Sequence, residues 1–572
     1  ITPAYSFSNT YTRGPLDNAA APPVGGELAA FLLGVPDGEM ARTASFAQQD
    51  KYFGVFFQDD FKVSPKLTVN LGLRWEYEWP VTERFNRSVA HFAFGQPSPI
   101  AAQAQANYAA NPIPELPASQ FQVTGGLTFA GVGGNPRTLW VQDKRDFMPR
   151  VGFAYQLART TTLRGGYGMF FDTVGVNKTN GVQTGFSQST PIQASLNSGL
   201  TYVATTASPL PNGLLPPMGA SGGLATNLGQ SVSFYPATRP RTSMQRWSAS
   251  LQQEFLRQFL VEASYVSSRG TLMGITRQLN NTPERYLSRL PVRDTPTINF
   301  LSQQFPNPLR GTNPIYGANI SRANLLRPYP QFSNVSVQEP VGYSWYHSLQ
   351  ARAEKRFSRG YTAQMAYTWS KTMDASSFLN PTDPVPYESL SSLDRTHKLT
   401  LSGIWELPFG RGKRFGARMP APLNFVAGGW QLNGVMQRQS GPPLGFGDVW
   451  TLFTGNPDSV VLPKGQRNVD RWFNTDAGFN RNSAQALTSN IRVSPLLFGG
   501  IRGDGQARWD FSLIKHFRIA EKATMDFRAE VLNAWNHPNL LSLNTTPTNT
   551  AFGTHTNQDV ARNWTFSLKL WF

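Results

Sequence analysis

The sequence has no cysteine in its 572 residues. That absence excludes disulfide bridges, cysteine nucleophiles and cysteine-ligated metal sites. Long hydrophobic runs are missing as well: the longest apolar run near the amino terminus, residues 28–35, is far shorter than the roughly 20 residues that a membrane-spanning helix needs. Because the mean hydropathy is only -0.33, a helical membrane bundle is excluded, and residues 28–35 predict a short helix or a plug-facing segment.

Charged residues are also scarce, at 15% of the chain, and acidic residues are fewer than basic ones, so the net charge is +17. This balance favours contact with nucleic acid, or with anionic lipid and lipopolysaccharide. It also arises when Arg and Lys are scattered over loops and rims. The sequence contains no long Lys/Arg run, and we therefore expect no nucleic-acid partner.

Aromatic residues, in contrast, are abundant at 12%, and apolar side chains alternate with other residues to the end of the chain. Period two predicts a β-strand with one apolar face. A soluble protein rarely ends on such a strand, because an apolar edge promotes aggregation. A transmembrane barrel can end there, because its last strand pairs with its first. The residues of this apolar face are Trp564, Phe566, Leu568, Leu570 and Phe572.

Residues 52–79 show the first complete hairpin, with a turn at residues 64–66 and strict alternation after it. With strands tilted by ~35–45°, Trp75 is expected about 20 Å above the turn and Trp79 about 30 Å above it. An apolar band ~25 Å tall places both at the far membrane interface, where aromatic girdles lie. The predicted girdle residues are Trp75, Tyr77, Trp79, Tyr367 and Trp369.

The same two-strand unit recurs at residues 151–171, 247–265, 345–369, 399–436 and 509–531. Long segments rich in Pro, Gly, Asn and Ser separate the units, at residues 80–149, 172–244, 269–344, 371–396, 441–507 and 534–562. Short links alternating with long ones are typical of bacterial outer-membrane barrels, which have short periplasmic turns and long extracellular loops. The predicted fold is therefore an all-β, antiparallel transmembrane barrel. About thirteen strands follow residue 52, and we expect residues 5–11 to supply the further strand that an even number requires.

The second face of the predicted strands is polar and carries charges of both signs. A mixed-charge wall implies water or a folded plug inside the barrel rather than a hydrophobic core. The predicted lumen-facing residues are Arg74, Glu76, Arg352, Glu354, Arg356, Asp526, Arg528, Glu530 and Lys569.

Several short motifs could in principle bind a ligand or take part in catalysis, but structural roles explain them better. Residues 58–60 contain two aspartates, but they lie near the predicted turn at residues 64–66. Residues 410–413 lack the spacing of a phosphate-binding loop, and residues 502–504 match a cell-adhesion tripeptide that a turn explains as well. The six histidines show no metal-ligand spacing. We therefore expect no enzyme activity, no cofactor and no metal site.

Four segments together resemble the barrel of TonB-dependent receptors, and in particular the Oar-like group. They are YFGVFFQDDFKVSPKLTVNLGLRWEYEWP, WELPFGRGKRF, GGWQLNGVMQRQSGPP and FRAEVLNAWNHPN, at residues 52–80, 405–415, 428–443 and 527–539. The terminal aromatic strand is similar to the signal read by the barrel assembly machinery. The resemblance implies a Gram-negative outer-membrane location, contact with lipid and lipopolysaccharide, and energised uptake of an extracellular ligand through the TonB complex.

Members of that family also carry a signal peptide, a plug with a TonB box and a barrel of about 22 strands. Residues 1–572 are thus expected to be a partial receptor barrel without the plug or an amino-terminal regulatory-like domain. The ligand, a metal chelate, glycan or peptide, is expected on the long loops, where Tyr316, Arg327, Tyr329 and Trp450 are candidates. A passive porin or adhesive barrel, or a secreted soluble β-protein, are the alternatives.

Overall fold

A computed structural model describes residues 2–12, 24–141, 143–173, 175, 182–195, 201–256, 258–447, 453–519 and 523–572. Trp450 lies outside the described residues, as do residues 520–522 within the predicted two-strand unit at residues 509–531.

In the described residues thirteen long strands form the main path of one sheet, which we call the wall, and two short strands, Val232–Phe234 and Ser389–Leu390, also pair with it. The strands are β1 (Gln48–Ser64), β2 (Leu67–Glu83), β3 (Phe147–Ala158), β4 (Thr161–Phe171), β5 (Ser243–Phe255), β6 (Phe259–Gln278), β7 (Val335–Ser358), β8 (Tyr361–Ala375), β9 (His397–Glu406), β10 (Trp430–Gln439), β11 (Gln506–Arg518), β12 (Thr524–Leu532) and β13 (Asn563–Trp571). Each strand pairs antiparallel with its neighbours in chain order from β1 to β13. This meander confirms the predicted antiparallel fold and the recurring hairpins. In the described residues no ladder joins β13 to β1, so the predicted pairing of the last strand with the first is not observed.

The amino-terminal segment does not join the wall, and the prediction of a further wall strand at residues 5–11 is wrong. Thr2–Ser6 pairs with Asp37–Arg42, which pairs with Gln188–Pro191 in a separate small sheet. After Ser6 the backbone leaves the extended conformation, because the Ser8 hydroxyl accepts a hydrogen bond from the Thr10 amide at 3.2 Å and caps a 3-10 turn. The apolar run at residues 28–35 contributes to a helix, as predicted.

Shorter elements lie before β1 and in the links between wall strands. The α-helices are α1 (Gly26–Leu32), α2 (Ala101–Ala109), α3 (Thr295–Ser302), α4 (Arg322–Leu325) and α5 (Ala421–Ala427). The other short strands are Val89–Phe92, Leu127–Phe129, Val232–Phe234, Gln304–Pro306, Asn319–Ser321, Ser389–Leu390, Pro443–Leu444, Phe498–Arg502, Leu540–Leu543 and His555–Gln558. The 3-10 helices are Asn9–Tyr11, Ala118–Gln120, Gly219–Ala225, Glu284–Tyr286, Pro457–Val460, Lys464–Gln466 and Ser483–Gln485.

The pairing register places apolar residues beside apolar residues across the wall. Phe527 of β12 lies opposite Leu568 of β13, while the next pair along, Arg528 and Ser567, belongs to the other face. The apolar side chains are not enclosed: Leu71 is 46% exposed and Leu568 is 68% exposed. One face of the wall is therefore apolar and is not covered by other parts of the described chain.

The hydrophobic cores lie instead among the links at one end of the wall. Four clusters of buried apolar side chains are built almost entirely from link residues. A soluble sheet would bury its apolar face against such a core. Here the core is beside the wall's end, so hydrocarbon is the environment that suits the exposed face.

A buried ion cluster ties four neighbouring strand ends together on the polar face. The side chain of Arg241, just before β5, is 0% exposed and donates hydrogen bonds to Glu76 of β2 at 2.8 Å and to Asp146, just before β3, at 3.1 Å. Its Nε donates to the carbonyl of Asp172, just after β4, at 2.8 Å, and Glu78 lies 3.5 Å away. Because buried charges are tolerated only when they are paired, Arg241 holds these ends in one arrangement.

We predict that Leu568→Arg destabilises the folded wall by about 2–4 kcal/mol, because it places a charge on the lipid-facing side near the bilayer midplane. Ser567→Arg, one residue away on the polar face, should have little effect. Urea unfolding in phospholipid vesicles measures both. Equal losses in the two variants would contradict the assigned faces.

We predict that Arg241→Met costs about 3–5 kcal/mol, because it removes the cation that three buried carboxylates share, of which Glu76 alone also bridges Arg74. The matched control is Arg145→Met, since Arg145 is 86% exposed and its ion pair with Asp143 is open to solvent. Thermal unfolding of the folded protein in detergent should show a large loss for the first variant and little change for the second. An unchanged midpoint for Arg241→Met would show that the cluster does not hold the strand ends.

Candidate functional site

The long links fold into two lobes at the same end of the wall. The first lobe combines the described parts of the links after β2, β4 and β6, around helix α2 and the rings of Tyr108 and Phe121, whose centroids are 4.1 Å apart. The second lobe combines the links after β10 and β12 around Phe446, Phe473 and Phe552. Long loops that the sequence predicted as polar segments therefore have hydrophobic cores of their own.

The two lobes are joined by backbone contacts. The Ser288 amide of the first lobe donates to the Ser489 carbonyl of the second lobe at 2.8 Å. The Asn490 side-chain amide donates to the carbonyls of Leu290 and Val292, at 2.9 and 2.8 Å. The wall's long-link end therefore carries one connected structure rather than independent loops.

A pocket of about 410 Å³ lies where the second lobe meets the ends of β9, β10 and β11. Arg395, Gln439, Asp504, Asn539 and His555 are among its lining residues. Two of these polar groups already serve the fold, since Asp504 accepts the Leu540 amide at 2.9 Å and Asn539 accepts the Ala507 amide at 2.7 Å. Their use in the fold fixes the shape of the pocket.

Arg395 is the cation of this pocket. Burial lowers the pKa of Arg395, and the neighbouring Arg502 lowers it further. Arg502 itself donates to the buried Asp394 carboxylate at 2.6 Å, whereas Arg395 Nη1 donates to the carbonyls of Ser392 and Asp394 at 3.0 and 2.8 Å. Because Asp394 is engaged by Arg502, an anionic ligand group would supply the solvation that Arg395 has lost.

The charged residues that the sequence predicted on the lumen face lie on the polar face and pair along it. Arg74 bridges Glu76 at 2.5 Å, Arg352 bridges Glu354 at 2.6 Å, and Arg528 bridges Glu530 at 3.4 Å. Arg356 bridges Glu254 on β5 at 3.1 Å. Asp526 lies opposite Lys569 in the register and 2.6 Å from His516. Four arginines of the polar face, Arg74, Arg352, Arg356 and Arg528, are thus each paired with a glutamate.

The predicted aromatic girdle residues lie on the apolar face. The rings of Trp75 and Tyr77 are 6.4 Å apart, and those of Tyr77 and Trp79 are 4.6 Å apart. The Tyr367 hydroxyl lies 2.8 Å from His397 Nδ1, and Trp369 is 54% exposed. The depth of these rings in the membrane stays a prediction, as does the role of Trp564, Phe566, Leu568, Leu570 and Phe572 in barrel assembly.

Three of the candidate ligand residues make hydrogen bonds or ring contacts within the first lobe. The Tyr316 hydroxyl donates to the Gln331 carbonyl at 2.7 Å, and burial raises the pKa of Tyr316. Arg327 donates to the Ser333 carbonyl at 3.0 Å, and Tyr329 packs on Phe92 at 5.0 Å. Sequence reasoning missed Arg395 and Asp394. The only signal near them was the tripeptide at residues 502–504, which was assigned to a turn.

A metal site would need a cluster of ligating side chains within the described ranges. No group of three or more His, Asp or Glu side chains there is arranged to hold a metal ion. Within the same ranges no helix combines the length and the apolar character needed to cross a bilayer.

Comparison with solved structures gives distant similarity. The ferripyoverdine receptor FpvA of Pseudomonas aeruginosa, bound to a pyoverdine–iron complex, has 11% identity and a TM-score of 0.38, over 94% of this chain and 40% of that one. The outer membrane transporter YddB from Escherichia coli has 9% identity and a TM-score of 0.40, over 91% of this chain and 54% of that one. The chain spans about 40–54% of the length of these two structures. No curated protein matches it.

A comparison with protein-family models gives a match over nearly the whole chain. Residues 2–565 match the model described as "Outer membrane beta barrel domain". That match covers the whole wall except the last residues of β13, together with both lobes. It agrees with the exposed apolar face and excludes the secreted soluble alternative. The chain belongs to the outer membrane beta barrel domain family, and its location is the outer membrane.

Proposed function

We propose that the chain is the wall and ligand-facing part of a TonB-dependent receptor that actively imports an extracellular ligand. The observation that supports this proposal most directly is the pocket beside Arg395, which lies under the second lobe at the long-link end of a charge-lined wall. A ligand held there would be presented to the polar face, where the paired charges suit water and a moving polar solute. Energy would come from the TonB complex acting through a plug region.

The ligand that suits the pocket carries a carboxylate or phosphate group. Arg395 is half-buried, and burial lowers its pKa, so an anion gains more there than at an exposed arginine. Acidic metal chelates, acidic glycans and peptides have such groups. Their size also suits an opening of a few hundred Å³.

The proposal is tested by uptake in cells that carry the whole gene. We expect accumulation of one labelled compound from a panel of ferric chelates, acidic oligosaccharides and peptides, and we expect a protonophore or loss of TonB to abolish it. A passive barrel would instead give uptake that ignores both treatments, together with steady single-channel conductance in a planar bilayer. That result would overturn the proposal in favour of a porin.

We predict that Arg395→Gln weakens binding of the transported ligand by about 10- to 100-fold, the factor expected for losing a charged hydrogen bond worth roughly 1.5–3 kcal/mol. The matched control is Arg289→Gln, since Arg289 is 79% exposed on the first lobe and pairs with an exposed Glu284. Equilibrium binding to whole cells measures both variants. Unchanged affinity in Arg395→Gln would remove the pocket from the ligand path while leaving the TonB test standing.

A further inference from the structure

The apolar face of the wall contains a groove of about 790 Å³. The register explains its shape, because small residues form a row across three neighbouring strands: Ala363 of β8, Gly403 of β9 and Gly434 of β10. Larger residues lie in the rows on both sides, with Met365 on one side and Trp405 on the other. The result is a channel whose floor is backbone and whose sides are apolar side chains.

The groove ends at a buried cation. Lys355 of β7 continues the row beyond Ala363 and is 5% exposed, although it lies on the apolar face. Its ammonium donates to the carbonyls of Ser358 and Tyr361, both at 2.9 Å, and lies 3.7 Å from the centre of the Tyr361 ring. A positive charge is therefore fixed at the short-turn end of the groove.

Immediately beyond the groove lies the longest of the links at the short-turn end, which we call the rim link (residues 407–429). The rim link carries four exposed cations, and one of them, Lys413, pairs at 2.9 Å with Glu406, the last residue of β9. The cations are Arg411, Lys413, Arg414 and Arg418. The link therefore presents a net positive charge at this rim.

The rim link also exposes apolar side chains beside its cations. Phe415 is 50% exposed, and in helix α5 Leu423, Phe425 and Val426 are between 54 and 65% exposed. Phe425 packs on Phe517 of β11 at 5.0 Å, and Phe517 belongs to the apolar face. The helix thus extends the lipid-facing surface of the wall. Cations next to exposed apolar groups are the composition of a segment that lies at a membrane surface.

The distance between the groove and the rim link can be compared with the depth of one leaflet, which sets the reach of a lipid acyl chain. Gly403 is four residues from Leu407, which corresponds to roughly 13 Å along the strand at about 3.3 Å per residue, and to about 10 Å along the membrane normal for a strand tilted by ~35–45°. One leaflet of a hydrocarbon core about 30 Å thick is about 15 Å deep, so the row of small residues lies within the leaflet next to the rim link. A phosphate at the rim link would leave its acyl chain alongside the row of small residues.

We propose that the groove and the rim link together bind one anionic glycerophospholipid of the inner leaflet. Its phosphate group lies among the rim-link cations, with Arg414 and Arg418 as the principal partners, and an acyl chain fills the groove over Ala363. The positive charge of the rim selects this occupant over a neutral lipid, and the apolar lining of the groove holds its acyl chain. The site lies on the outer surface of the wall, separate from the pocket beside Arg395.

The test uses purified protein in phosphatidylcholine vesicles with trace spin-labelled phosphatidylglycerol or phosphatidylcholine. Electron paramagnetic resonance measures the fraction of each label that the protein immobilises. We expect the wild type to prefer phosphatidylglycerol, and we expect the double variant Arg414→Gln/Arg418→Gln to lose about fivefold of that preference per cation removed. The matched control, Arg310→Gln/Arg481→Gln, removes two cations from the lobes at the opposite end and should keep the preference.

A second pair of variants tests the groove itself. Ala363→Leu fills the floor and should lower immobilisation of both labels, whereas Ala249→Leu, which adds the same side chain to an exposed alanine of the apolar face on β5, should not. Heat-modifiable mobility in gels shows that each variant is folded. Equal association of the two labels with the wild type would overturn the proposal. The proposal would also be overturned if Ala363→Leu left the immobilisation of both labels unchanged but altered the sedimentation coefficient. In that case the groove would be a contact between two copies of the chain.

Discussion

The wall depends on one constraint: inside a bilayer every backbone amide and carbonyl needs a partner within the protein. An antiparallel meander supplies these partners between neighbouring strands, except along the outer edges of β1 and β13, which pair with no strand of the described residues. The side chains are then left free to divide between two environments. The division is visible in β12 and β13, where Phe527 and Leu568 share one face and Arg528 and Ser567 share the other. Fold, location and the proposed path for a ligand all follow from that division.

The wall could be predicted from sequence because its signal is local. A strand of nine or more residues repeats the same alternation many times, and short turns fix its partner, so even β13 was assigned from its own residues. The lobes could not be predicted in the same way. Their cores join links that are far apart in the chain, and their elements are short, so the packing of Tyr316 and Tyr329 inside the first lobe could not be predicted.

Alternation also fails at positions where tertiary contacts overrule it. Lys355 and Lys515 lie on the apolar face, and both are nearly buried because carbonyl groups and aromatic rings surround their ammonium groups. Arg395 was missed for a related reason: it is a single basic residue in a link, and its burial depends on the second lobe, which reaches it from more than a hundred residues away. When the groups around a charged residue come from distant parts of the chain, the periodicity of the local sequence does not reveal that the residue is buried.

The burial of Arg241 has a consequence for the order of assembly. Its partner Glu76 is 165 residues away in sequence, and its shell is complete only when β2, β3, β4 and β5 stand side by side. Before that moment water must remain around the guanidinium, because dehydrating it early would leave a bare charge. Loss of water from around the Arg241 side chain is therefore one of the last steps in the folding of the amino-terminal half. A chain that stops folding before this step would have paired strands, but the strand ends around Arg241 would stay hydrated and loosely packed.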